Sequence, residues 1–259
     1  LIGKPPATGG WREGDPVGDR RFVNVGALAL ERGGALPSVR VAYETFGTLS
    51  PSGDNAVLVI HALTGDSHVS GVAGAGHSTA GWWGEVVGPG RAIDTDRWFV
   101  VAPNILGGCQ GTTGPVSYSP DGREWGSRFP FITIRDQVSA QVALADELGI
   151  ARWSAVIGRS MGGMQALDWG VTQPDRVERL ALGLLGRQLR GGRCCLATTS
   201  IEDLLRHGHP MPGVGVGGPG DLQLPLARLA LHLEVPQRGQ PLDQPVLGHV
   251  GRLLVGAGL

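Results

Sequence analysis

Ser160 lies in Gly158-Arg159-Ser160-Met161-Gly162, a Gly-x-Ser-x-Gly spacing that offers a serine hydroxyl as a nucleophile. The two glycines remove the Cβ atoms that would collide where a strand reverses sharply into a helix. Such a turn pushes the serine side chain out at the carboxyl edge of a sheet. A serine hydroxyl is by itself a weak nucleophile, so the chemistry also needs a base, an acid to orient that base, and donors for a developing oxyanion. Two histidines, His61 and His68, precede the serine and read as loop residues near the site. Cys109 could be a second nucleophile, but no basic neighbour is visible for it, and it reads instead as a small buried thiol.

The elements around Ser160 must form a sheet with helices packed on it. Val39 to Phe46, Ala56 to His61, Trp98 to Ala102 and Ala155 to Ile157 are short apolar runs of strand character. Between them, Ile134 to Leu148 carries Val138, Val142, Ala145 and Leu148 at helical spacing and stops at Gly149. A second helix is expected from Met161 to Trp169, closed by Pro174 and Asp175, with another strand from Val177 to Leu184. Helix, strand, elbow and helix in succession imply an α/β sheet.

In an α/β-hydrolase arrangement the loop after an early strand lies beside the elbow and supplies one backbone N–H to the oxyanion hole. Here that loop is His61-Ala62-Leu63-Thr64-Gly65-Asp66-Ser67-His68, which makes Leu63 one donor and Met161, the residue after the nucleophile, the other. A single fixed donor is worth roughly 3 to 4 kcal/mol of barrier in a comparable serine enzyme. The alternative is an ordinary strand-end turn in which Gly65 supplies a positive φ. Val101 to Pro115 follows another strand and holds four glycines and two threonines, the composition of a long flexible turn or of a loop that approaches a ligand closely.

His61 to His68, Gly81 to Glu85, Asn104 to Pro115, Phe129 to Asp136 and Gly158 to Leu167 together resemble homoserine O-acetyltransferase, over about Gly10 to Leu185. A lone Gly-x-Ser-x-Gly is weakly specific; five motifs in family order are not. The resemblance implies an α/β-hydrolase fold with a helical lid, a homodimer, and a ping-pong reaction of methionine biosynthesis. Ser160 would take the acetyl group from acetyl-CoA, used as co-substrate, and pass it to the γ-hydroxyl of L-homoserine. No permanently bound cofactor and no metal are implied. Arg159 stands where the family more often has a small residue, and its side chain is expected to point away from the pocket.

In this fold the acid and then the histidine follow the serine in the chain. The family places the histidine in a Gly-His-Asp setting beyond the lid, and this chain has none after Ser160. The base and acid are unidentified; Gly248-His249-Val250 with Asp243 is the nearest pair, set too close in sequence for residues carried on separate strand-end loops. All fourteen aromatic residues precede Leu185, and the tail is rich in Gly and Pro, as at Met211 to Gly220. Such a tail lacks the side chains that fill a core or build a lid. It reads as a Gly/Pro-rich, disordered linker with one amphipathic helix near Leu224 to Leu233, or as a stretch out of frame with its ancestor. The domain reading is an N-terminal extension at 1–20, an incomplete α/β-hydrolase core at 21–185 and an aberrant tail at 186–259. The chain as written is then expected to be inactive or nearly so. A plain esterase or thioesterase, or a non-catalytic remnant, stays open beside acyl transfer.

Acidic and basic residues nearly cancel, at a net charge of −1, which disfavours nucleic acid and anionic membrane as partners. Cys109, Cys194 and Cys195 have neither zinc-site nor disulfide spacing, as expected of a reducing compartment, so the cytoplasm is the expected location. No apolar run approaches the roughly 20 residues of a membrane-spanning helix. The N-terminus has no signal-like apolar stretch, and it begins with Leu1, as after processing or inside a longer reading frame.

Overall fold

The computed structural model describes residues 9–183 and 197–200. The chain forms β1 (Arg21–Ala29), β2 (Ala35–Phe46), β3 (Ala56–Ile60), the two-residue β4 (Val87–Gly88) and β5 (Ile93–Asp94), and β6 (Phe99–Pro103). Helix α1 (Ile134–Glu147), β7 (Ala155–Arg159), α2 (Met161–Thr172), β8 (Arg179–Gly183) and β9 (Ala197–Ser200) follow. Seven strands make one sheet in the order β1-β2-β6-β3-β7-β8-β9. Its centre, β6-β3-β7-β8, is parallel, while β1, β2 and β9 run antiparallel to their neighbours.

Parallel strands joined through helices are covered on both faces and read as continuous apolar runs. Strand β3, Ala-Val-Leu-Val-Ile, is such a run and is buried throughout. Its alternate residues divide between two cores. Leu58 and Ile60 face α1 and α2, packing with Val138, Leu144, Ala166 and Trp169. Val57 and Val59 face the opposite side, with Val69, Val87 and the half-buried Trp83 and Trp98 of the long β3–β6 connection.

The helices end where local chemistry stops them. Thr133 caps α1 in a reciprocal box with Asp136, and Asp136 Oδ1 also accepts the N–H of Glu31 at 2.8 Å. At the other end Gly149 takes φ +69°, and the N–H groups of Gly149 and Ile150 return to the carbonyls of Asp146 and Ala145. Helix α2 stops at Thr172 ahead of a 3-10 turn at Pro174–Arg176. The expected strands and helices are present with ends shifted by a few residues. Strand β1 carries no comparable signal because it is an edge strand with every position exposed or half-exposed. Of the N-terminal extension, Trp11 is buried and its N–H donates to the carbonyl of Cys109 at 2.8 Å. The expected helix near Leu224 to Leu233, and the tail apart from residues 197–200, lie outside the described residues.

Candidate active site

Ser160 sits between the last residue of β7 and the first of α2 with φ 56° and ψ −123°. Among the described residues it is the one non-glycine with positive φ, a conformation that costs about 1–3 kcal/mol and persists where its surroundings enforce it. The enforcement is steric. A Cβ on Gly158 would lie 2.0 Å from the carbonyl oxygen of Gly162, and one on Gly162 would lie 2.3 Å from that of Ile60. Both glycines are therefore required for close approach, and the second presses the elbow onto the end of β3. The Ser160 carbonyl accepts from Gly163 and Met164 at 2.9 and 3.1 Å, starting the helix. Arg159 is exposed, as its position at the elbow requires.

The loop leaving β3 begins with a turn in which Gly65 N–H donates to Ala62 O at 2.9 Å. Gly65 does not have the positive φ that an ordinary strand-end turn would ask of it; its role is space, because a Cβ there would come within 2.9 Å of His61 Cβ. His61 is buried, with Nδ1 2.7 Å from Ala62 O and Nε2 3.3 Å from the N–H of Ile105. Burial holds its pKa below the usual histidine value, against smaller raising effects from the Ala62 carbonyl and Asp66. The backbone N–H groups of Leu63 and Met161 have no partner among the described residues. The segments that carry them meet where Gly162 abuts the carbonyls of Ile60 and His61.

A second layer, not anticipated from sequence, holds this loop. Asn104 Oδ1 accepts the N–H of Ser67 at 2.8 Å, and Asn104 Nδ2 donates to Ser67 Oγ and to Gln110 O at 3.0 and 2.7 Å. Thr112 Oγ1 accepts from Ala42 N–H and donates to Asn104 O, tying the glycine-rich loop to β2. With Asn104, Thr112 and Thr113 buried, this segment is a fixed clamp, and the expectation of a flexible turn is corrected. Cys109 in the same loop is exposed, contrary to the buried thiol expected, because the backbone here is packed against β2 and the N-terminal segment while the side chain faces outward.

Glu44 on β2 is 1% exposed and accepts from Ser67 Oγ at 2.7 Å while its other oxygen lies 3.0 Å from His68 Nδ1. The ring of His77 stacks on that of His68 at 3.8 Å and 12°, and its Nε2 accepts the N–H of Asp19 at 3.1 Å. Burial lowers the pKa of His77. Asp19, Glu44, His68 and His77 present ligand-type atoms within 4.8 Å of one another. They do not suit a metal: stacked imidazoles hold their lone pairs in separate, near-parallel planes, whereas a metal needs them to converge on one point. The cluster is a polar lock fastening residues 66–77 to β2. An acidic residue within the apolar pattern of β2 was its one signal in the sequence.

The three histidines among the described residues, His61, His68 and His77, are buried and engaged elsewhere, and the Ser160 hydroxyl has no hydrogen-bond partner among those residues. His249 and Asp243, the candidate base and acid, lie outside them. No described helix is long and apolar enough to cross a membrane.

The profile of the alpha/beta hydrolase fold matches residues 55–183, from β3 through β8. A homoserine O-acetyltransferase of Clavibacter michiganensis subsp. michiganensis is 71% identical over 182 residues, covering 70% of this chain and 47% of the relative. The chain thus spans about half the length of the curated relatives it matches. Among solved structures, homoserine O-acetyltransferase from Bacillus anthracis superposes with a TM-score of 0.58 at 35% identity, over 63% of this chain and 46% of that one. An acetylester hydrolase from Corynebacterium glutamicum gives 0.54 at 31% identity, over 63% and 43%. The strained serine at the β7–α2 elbow, the sheet that carries it and these likenesses lead to one conclusion: the chain belongs to the homoserine O-acetyltransferase family of the α/β-hydrolase fold.

Proposed function

We propose that Ser160 carries an acetyl group from acetyl-CoA to the γ-hydroxyl of L-homoserine. The observation that carries this reading is the Ser160 elbow pressed against the Leu63 loop, in a chain so similar to named homoserine O-acetyltransferases. Ser160 Oγ adds to the thioester carbonyl as its proton passes to a base, and the carbonyl oxygen becomes an oxyanion facing the N–H groups of Leu63 and Met161. The C–S bond then breaks, coenzyme A leaves as the thiol once it takes up the proton, and acetyl-Ser160 remains. The homoserine hydroxyl repeats the addition on that ester, loses its proton to the base, and departs as O-acetyl-L-homoserine while Ser160 Oγ recovers a proton.

The base and acid of this scheme are unidentified; His249 with Asp243, outside the described residues, is the nearest pair the chain offers. Family resemblance supports a homodimer, and the cysteine usage supports a cytoplasmic location. A second reading, ester hydrolysis with water as the acceptor, is favoured by the likeness to the acetylester hydrolase from Corynebacterium glutamicum.

Incubation of the purified chain with acetyl-CoA, followed by intact mass, separates these. An acetyl adduct on Ser160 that is discharged only by homoserine supports transfer. One discharged by water supports hydrolysis. A folded protein that forms no adduct refutes both, and Ser160→Ala provides the blank.

A further inference from the structure

We infer that His61 is the positioning residue of the oxyanion hole: it holds the Ala62–Leu63 peptide so that the Leu63 N–H faces the reacting carbonyl. The inference rests on the reading of Leu63 as an oxyanion donor. Its basis is the pair of contacts made by the buried imidazole. Nε2 faces a donor, the N–H of Ile105 at 3.3 Å, and so is unprotonated; Nδ1 lies 2.7 Å from a carbonyl oxygen, Ala62 O, and so bears the hydrogen. One neutral tautomer satisfies both.

Ala62 O then receives two hydrogen bonds, from His61 Nδ1–H and from Gly65 N–H at 2.9 Å. These occupy both lone pairs of the carbonyl and fix the plane of the peptide. In a trans peptide the C=O and N–H point in opposite directions, so pinning the Ala62 carbonyl inward turns the Leu63 N–H outward. That N–H has no partner among the described residues. Without the imidazole, the peptide is held by the turn hydrogen bond alone and can rotate, and a donor that must reorganise during reaction loses most of its value. Gly65 belongs to the same device, since a Cβ there would press on His61 Cβ at 2.9 Å.

Two substitutions divide the imidazole's functions. In His61→Asn the amide nitrogen falls near the place of Nδ1 and can donate to Ala62 O. In His61→Gln the amide falls near Nε2 and keeps only the acceptor for Ile105. The full chain is treated with a fluorophosphonate probe, whose phosphonyl oxygen takes the oxyanion position, and labelling of Ser160 is timed by intact mass. His61→Asn is expected to label within about 3-fold of the parent rate and His61→Gln about 10- to 100-fold more slowly, part of the 10²–10³ attached to a whole donor. A purely structural link to Ile105 predicts the reverse order, and Gln labelling as fast as Asn overturns the inference.

If the parent chain takes no probe at Ser160, the reading of Ser160 as nucleophile fails by itself. The positioning role is then judged from the Leu63 amide resonance, which should move in His61→Gln and stay in His61→Asn; equal shifts in both refute it. Should either variant fail to fold, the ring ¹⁵N shifts of the parent decide. A proton on Nε2 overturns the inference, and one on Nδ1 sustains it.

Discussion

Gly162→Ala tests how the elbow is held against β3. The added Cβ would stand 2.3 Å from Ile60 O, 2.8 Å from His61 O and 2.9 Å from the Ile60 carbonyl carbon. The shortest of these falls about 1 Å inside ordinary van der Waals contact. All three are backbone atoms, two of them at the end of a buried central strand, so they cannot swing aside as a flexible side chain would. The first turn of α2 must lift instead. Overpacking of this kind costs about 1–3 kcal/mol, and a rigid backbone neighbour places this site at the upper end. The better helix propensity of alanine returns up to about 1 kcal/mol, leaving a net loss near 2 kcal/mol. The Met161 N–H would move with the turn, and a displacement of about 1 Å in a reacting geometry costs on the order of 10²-fold in rate. Urea unfolding gives the first quantity and acylation of Ser160 the second. The control is Gly84→Ala, whose Cβ would meet nothing closer than 3.8 Å and should change stability by less than about 0.5 kcal/mol. If Gly162→Ala unfolds within 0.5 kcal/mol or so of the parent and acylates at the parent rate, the steric account of the elbow is wrong.

Ser160→Gly should raise stability by about 1 kcal/mol, since relief of positive-φ strain exceeds the entropy of an added glycine, and abolish acylation; a lower melting temperature would contradict the strain. Glu44→Ala should cost about 3 kcal/mol, because it leaves the buried Ser67 Oγ and His68 Nδ1 without their shared partner, and a parent-like urea midpoint would show that the lock contributes little. For His61 the native pKa lies below the ordinary 6.5, so the unfolded chain binds a proton that the native state refuses. Its contribution is complete above 6.5 and declines as pH falls below it, by up to about 1.4 kcal/mol per pH unit, until the native pKa is reached. His77, also depressed by burial, acts in the same direction. The urea midpoint should therefore drop as pH falls below about 6.5, less so in His61→Asn, and a flat profile there would refute the burial effect.

The elements that sequence determined are those whose physics is local. The Gly158 to Gly162 spacing, the helical spacing from Ile134 to Leu148, the Gly149 stop and the continuous apolar run of β3 each act over a few residues. Their positions could be read directly, as could the serine at the elbow. Contacts between distant segments could not. Ile105 lies 44 residues from His61, Asn104 lies 37 from Ser67, and Thr112 lies 70 from Ala42. Nothing in a glycine-rich run reveals that its carbonyls and threonines clamp another loop, and nothing in Cys109 reveals that its packed backbone leaves the thiol outside. Sequence determined that a serine would be presented at a sheet edge. Tertiary structure alone decided what holds the surrounding N–H groups in place, because a hydrogen-bond partner is set by where the sheet brings two segments together.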